Sequence, residues 1–170
     1  MLFFDKTETE KRKTSILRQQ VSDPRPVFYY GSDPANDFLG AAHAFVASFG
    51  EFREASLIFV ATPFGDGKHE TQLSDARWAR FYKWREAHGE VRRLYDVPGH
   101  QFSANESDAL AEAISLALLL GWDAWLEGNR GRKLIVLSHD DRVEMHRGCE
   151  RHALTRSLLR LGFWQVANVF

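Results

Sequence analysis

The chain has 170 residues, 44% of them hydrophobic and 26% charged, with a net charge of −1 at pH 7. These are ordinary globular values, enough for one domain with a real core. They exclude global disorder and a uniformly charged surface for nucleic acid or anionic membrane. The single Cys149 forbids an intrachain disulfide and points to a reduced compartment.

Residues 1–25 read as an N-terminal arm or frayed helix, charged and mixed in sign, ending in the stiff Asp23-Pro24-Arg25-Pro26 linker. The start lacks the basic and apolar segments of a secretion signal. The longest apolar stretch, Ala109 to Trp122, is broken by Glu112 and falls short of the about 18 residues a membrane span needs. The chain therefore reads as cytoplasmic, without membrane attachment.

Residues 26–170 read as one domain. Val27 to Tyr30 is a short strand. Asp33, with Pro34 behind it, starts a helix whose apolar face carries Phe38, Ala41, Ala42, Phe45 and Phe49, closed by Gly50. Ser56 to Thr62 is apolar almost throughout, as a strand covered on both faces would be. A loop follows over 63–73. Ser74 opens a basic and aromatic helix, with Leu73 and Trp78 at hydrophobic-staple positions, that ends near Gly89. Val91 to Val97 is a third strand, closed by Pro98-Gly99. Ser103 and Glu106 have capping-box spacing and open a helix over 104–120, with Gly121 as its C-cap. Trp122–Glu127, Lys133–Ser138 and Arg142–His146 form an antiparallel meander. A helix over 150–166 closes the chain, with Leu154, Leu158, Leu161 and Val166 inward.

The predicted order is β-α-β-α-β-α-β-β-β-α. It implies a mixed α/β fold with one mixed sheet, parallel in its first half and antiparallel in its C-terminal meander, with helices packed on the sheet.

Charge is distributed in blocks. Residues 94–128 hold six acids and no Lys or Arg; residues 77–93 hold six bases and two acids; residues 129–170 hold eight bases and four acids. Neighbouring blocks either neutralise one another or make a bipolar surface that steers a charged partner. Among the bases, 16 are Arg and 6 are Lys, a preference suited to forked and stacked pairing.

Three clusters carry candidate chemistry. Parallel strands would bring Ser32 and Asp33, then Asp66, Lys68, His69 and Glu70, then Asp96, Gly99 and His100 to one crevice. Asp66, Lys68, His69 and His100 could run acid–base chemistry there, and Asp66, His69 and His100 could hold a metal. The segment 138–152 concentrates His139, Asp140, Asp141, Glu144, His146, Cys149 and His152. His139, Glu144 and His146 are a second metal set, although their spacing matches no established motif. Cys149 has Arg147 and Arg151 beside it but no oriented base, and is not read as a nucleophile. The third cluster is the helix over 74–88. Trp78, Phe81, Tyr82 and Arg85 share one side of it. Arg80 and Trp84, four apart, share a stretch of its surface.

No catalytic motif is complete. The leading reading is a small cytoplasmic binding or regulatory protein, of immunity type, without a cofactor. Its partner is another protein, met through Arg80 and Trp84, residue types that dominate interfaces. The alternative is a metal-dependent hydrolase at the strand-end loops. Nucleic-acid binding through the basic segments comes last, given the net charge.

Overall fold

Short apolar runs pair into one sheet of eight strands in the computed structural model, which describes residues 1–18, 26–30, 37–60, 76–129 and 131–166. The strands are β1 (Leu2–Phe4), β2 (Val27–Tyr29), β3 (Glu54–Phe59), β4 (Gly99–Ser103), β5 (Ala124–Gly128), β6 (Lys133–Ser138), β7 (Arg142–Arg147) and β8 (Trp164–Val166). The helices are α1 (Lys6–Arg18), α2 (Phe38–Ser48), α3 (Ala76–Ala87), α4 (Ser107–Leu120) and α5 (Arg151–Arg160). Across the sheet the order is β1-β4-β3-β5-β6-β7-β2-β8. No helix among the described residues is long and apolar enough to cross a membrane.

The mixed α/β class holds, but the parallel first half does not, because every neighbouring pair is antiparallel. β2 and β3 point the same way, yet β5, β6 and β7 stand between them. β4 runs against β3, with Gly99 opposite Ile58. The cause lies in residues 88–98. The expected strand over 91–97 is a set of turns: Glu90 N–H bonds Arg85 O, and Val97 N–H bonds Arg93 O. Glu90 also accepts from the Arg92 backbone and guanidinium. Leu94 and Val97 are buried and Val91 is exposed, a spacing of three that no strand produces. This stretch makes the return trip along the sheet, so β4 starts where β3 ended.

Apart from the third strand, which forms at 99–103 and not at 91–97, the predicted elements recur in order, with β1 and α1 added before them and β8 after them. The stretch expected as an arm or frayed helix supplies a strand, β1, and a helix, α1. β1 pairs with β4, and α1 lies on the outer sheet face, where buried Ile16 packs on Ile58 and Leu134. Arg12 donates to Ser56 Oγ at 2.9 Å and Lys13 to the Val60 carbonyl at 3.2 Å.

The inner face carries the main core. Ala55, Leu57, Phe59, Phe102, Leu126, Ile135, Leu137, Val143 and Met145 meet the inward sides of α2 to α5. α2 and α4 make the most extensive helix pair. Their fully buried alanines (41, 42, 111, 113 and 117) let the axes approach closely. The described cap of α2 is Asp37, which accepts from Gly40 N–H at 2.7 Å; Asp33 and Pro34 lie outside the described residues. The expected Ser103–Glu106 capping box forms around a 3-10 turn, Ala104–Glu106, that runs into α4, and α4 ends on left-handed Gly121. The C-terminal helix is shorter than expected. Gly162 at φ +87° stops it, and the next residues pair with β2 as β8.

Candidate functional site

Antiparallel order gathers one set of strand ends at one edge: the C-terminal ends of β1, β2, β3 and β6, and the N-terminal ends of β4, β5, β7 and β8. Asp123 enters β5 there, and the turn His139–Asp141 joins β6 to β7. Asp141 takes φ +54°, a conformation that aspartate tolerates at a turn. Asp123 accepts twice from His139, from its backbone N–H at 2.9 Å and from Nδ1 at 2.8 Å. Asp140 Oδ1 lies 3.4 Å from Nε2. The Asp123 hydrogen bond and charge, with help from Asp140, raise the His139 pKa above its ordinary value. The result is an oriented, exposed imidazole in a turn rich in carboxylates. Tyr30 closes the site from below. Its N–H bonds Asp141 O at 2.9 Å, and its ring is buried against Phe38 and Phe163. Its hydroxyl makes no hydrogen bond among the described residues, and burial raises its pKa.

The same row of the sheet continues outward. Register places Ser138 opposite Arg142, Arg142 opposite Tyr29, and Tyr29 opposite Trp164. Tyr29 and Trp164 stack with centroids 6.3 Å apart and planes at 20°. Trp164 keeps 50% of its surface exposed. Arg142 Nη2 meets Glu144 Oε1 at 3.0 Å, and Glu144 Oε2 meets His146 Nε2 at 3.1 Å.

The sequence-predicted residues separate. Asp66, Lys68 and His69 lie outside the described residues. His100 is not on a solvent-facing crevice. It is fully buried on the inner face of β4, ringed by Phe3, Phe59, Phe81 and Trp84. Burial, reinforced by the Arg85 charge, lowers its pKa and holds it neutral. Glu144 and His146 do meet on one face of β7, as strand alternation requires, but His139 turns toward Asp123 at the other end of the strand. Among the described residues no three His, Cys, Asp or Glu side chains converge as metal ligands. Arg80 is exposed on α3. Trp84 is half-buried, stacks on Phe81, and donates its indole N–H to Glu112. Burial pushes the Cys149 thiol up to about 11, which keeps it protonated.

A groove at the opposite edge is lined by Val46, Phe52, Arg53, Ser107, Asn129 and Arg132, among others. Asn129 ties its two turns together, accepting from Arg53 N–H at 2.9 Å and donating to Glu51 O at 3.3 Å. Glu51 and Glu54 match the two arginines in the lining, so the groove selects no ligand charge.

Sequence reasoning missed the Arg142–Tyr29–Trp164 row because it placed Trp164 in a helix. Gly162 was the available signal, since glycine at that position ends helices. No protein-family model, no curated protein and no solved structure matches the chain.

Proposed function

We propose that this chain is a non-catalytic binding protein, regulatory or immunity-type, that docks another protein where Trp164, Tyr29 and Arg142 meet. The carrying observation is Trp164, half-exposed on an edge strand and stacked on Tyr29. Leaving a large aromatic ring in water forgoes burial energy at about 25 cal/mol per Å², which a partner covering it would recover. Trp, Tyr and Arg are the residue types enriched at the centres of interfaces. This row takes the role that Arg80 and Trp84 held in the sequence reading, because Trp84 is packed between α3 and α4. A hydrolase at the same edge draws support from the oriented Asp123–His139 pair alone.

The test is photo-crosslinking in the native cell from position 164, with exposed Val91 as the control position. A defined protein adduct from 164, absent from 91 and lost on Tyr29→Ala, is expected. Equal labelling from both positions would remove the proposed surface. Hydrolytic activity lost on Asp123→Asn would favour the enzyme.

A further inference from the structure

We infer that His100 is an acid-sensitive latch that holds β1 and α1 on the sheet, and that its protonation releases them. The geometry is a closed cage. On β4, Gly99 and Gln101 point outward while His100 and Phe102 point inward. Opposite His100 on β1 stands Phe3, edge-on at 5.2 Å between centroids. Phe59 of β3 and Phe81 and Trp84 of α3 complete the cage at 5.5 to 6.1 Å. The ring has no exposed surface, and among the described residues neither nitrogen completes a hydrogen bond.

The surrounding charges make the cation worse. α3 contributes Arg85, fully buried, and His88, both of which oppose a proton on His100. β1 and the facing part of β3 carry no titratable side chain. On α4, Glu112 is engaged by Trp84. The Leu57 and Pro98 carbonyls favour the cation, but burial outweighs them. Protonation therefore requires water to reach the ring.

The cheapest way to admit water is to lift Phe3. β1 is an edge strand held by three residue pairs, and its Leu2 is 65% exposed. α1 is anchored by one buried apolar side chain, Ile16, with a few polar contacts. In contrast, β3 pairs with β4 over five positions, and α3 sets Trp78 and Phe81 in the core. Elements with few buried contacts open first. In the open state His100 regains an ordinary value near 6.5. Below that pH the open form gains about tenfold per pH unit, or about 30-fold between pH 8 and pH 5. Opening uncovers Ile58, Leu134 and Glu127 on the outer face. The Met1–Glu106 ion pair does not supply this step, because Glu106 is held down to about 2 and stays ionised. Glu127, raised by burial beneath α1, is the other group to separate.

The experiment is hydrogen exchange of the full chain from pH 8 to pH 5, corrected for intrinsic rates. Protection in residues 2–18 is expected to fall about 30-fold while that of α4 holds. His100→Gln is expected to flatten the change, and Glu127→Gln to preserve it. If His100→Gln does not fold, the imidazole signal of His100 in the native chain decides: it titrates only together with loss of β1 protection. Unchanged exchange in residues 2–18, parallel loss in α4, or a His100 that titrates near 6.5 with β1 in place would each overturn the latch.

Discussion

Trp84 donates its indole N–H to Glu112 Oε2 at 3.0 Å, bridging α3 and α4. The same ring stacks on Phe81 and lies 4.6 Å from the His88 ring, centroid to centroid. Its surroundings are those of a packing residue. Trp84→Ala is expected to cost about 2–4 kcal/mol in urea unfolding, somewhat below the loss for a fully buried aromatic. Glu112→Ala is expected to cost about 1 kcal/mol, and a double-mutant cycle should return a coupling of about 0.5–1.5 kcal/mol. An unchanged melting temperature for Trp84→Ala would return this residue to the list of interface candidates.

Leu118→Ala is expected to destabilise by about 2–5 kcal/mol. Leu118 is 2% exposed in α4, and the fully buried Leu110, Ile114 and Ala117 share its helix. Chemical denaturation measures the loss; a value below about 0.5 kcal/mol would mean the site collapses around the smaller side chain.

Gly148→Ala is expected to lose more than about 1 kcal/mol. Gly148 has φ +66°, and a Cβ there would sit 2.3 Å from the Arg132 carbonyl oxygen and 2.8 Å from Lys133 Cγ. The backbone oxygen cannot swing aside as a side chain can, so the β7–α5 junction must shift. Thermal melts of Gly148→Ala against Gly89→Ala separate crowding from backbone strain, since Gly89 also has positive φ but open space around it.

Asp123→Asn is expected to bring the His139 pKa down toward its ordinary value, and Asp140→Asn to do so less. The Asp123 hydrogen bond is the largest cause of the rise. Because the folded value is raised, the pair's contribution is complete below the unfolded value of about 6.5 and is lost as pH rises through the folded value. Imidazole titration by NMR reads both variants; an unmoved His139 in Asp123→Asn would show that the contact does not persist in solution.

The parts that were legible in the sequence are those with local signals. The Ser103–Glu106 box and Gly121 bracket α4, and the short links from β5 to β6 and from β6 to β7 fix the meander. Of the three-residue strands only β2 was legible, as the run Val27 to Tyr30; β1 and β8 are too short to show alternation. α1 was legible only as an arm or frayed helix, because its anchors are polar (Arg12 to Ser56, Lys13 to Val60) and Ile16 is its single buried apolar side chain. Strand direction was misread because apolar residues at 91, 94 and 97 suggested a strand where the chain was turning back. At the site, the histidines were found but not their environments. The Phe102 that follows His100 two positions later marks an inward face, and that alternation placed His100 in the core rather than in a crevice.

β2 is made early and completed late. Its two neighbours are β7 and β8, and Tyr29 faces Arg142 and Trp164, each more than a hundred positions downstream. During synthesis Val27–Tyr29 therefore has neither of its pairing strands until more than a hundred further residues have been made. Contacts of such separation slow folding, and an unpaired apolar strand invites mispairing in the meantime. A nascent chain stalled before residue 142 is expected to hold β2 unprotected, and a chaperone that shields extended apolar segments would act on this protein at Val27–Tyr29 first.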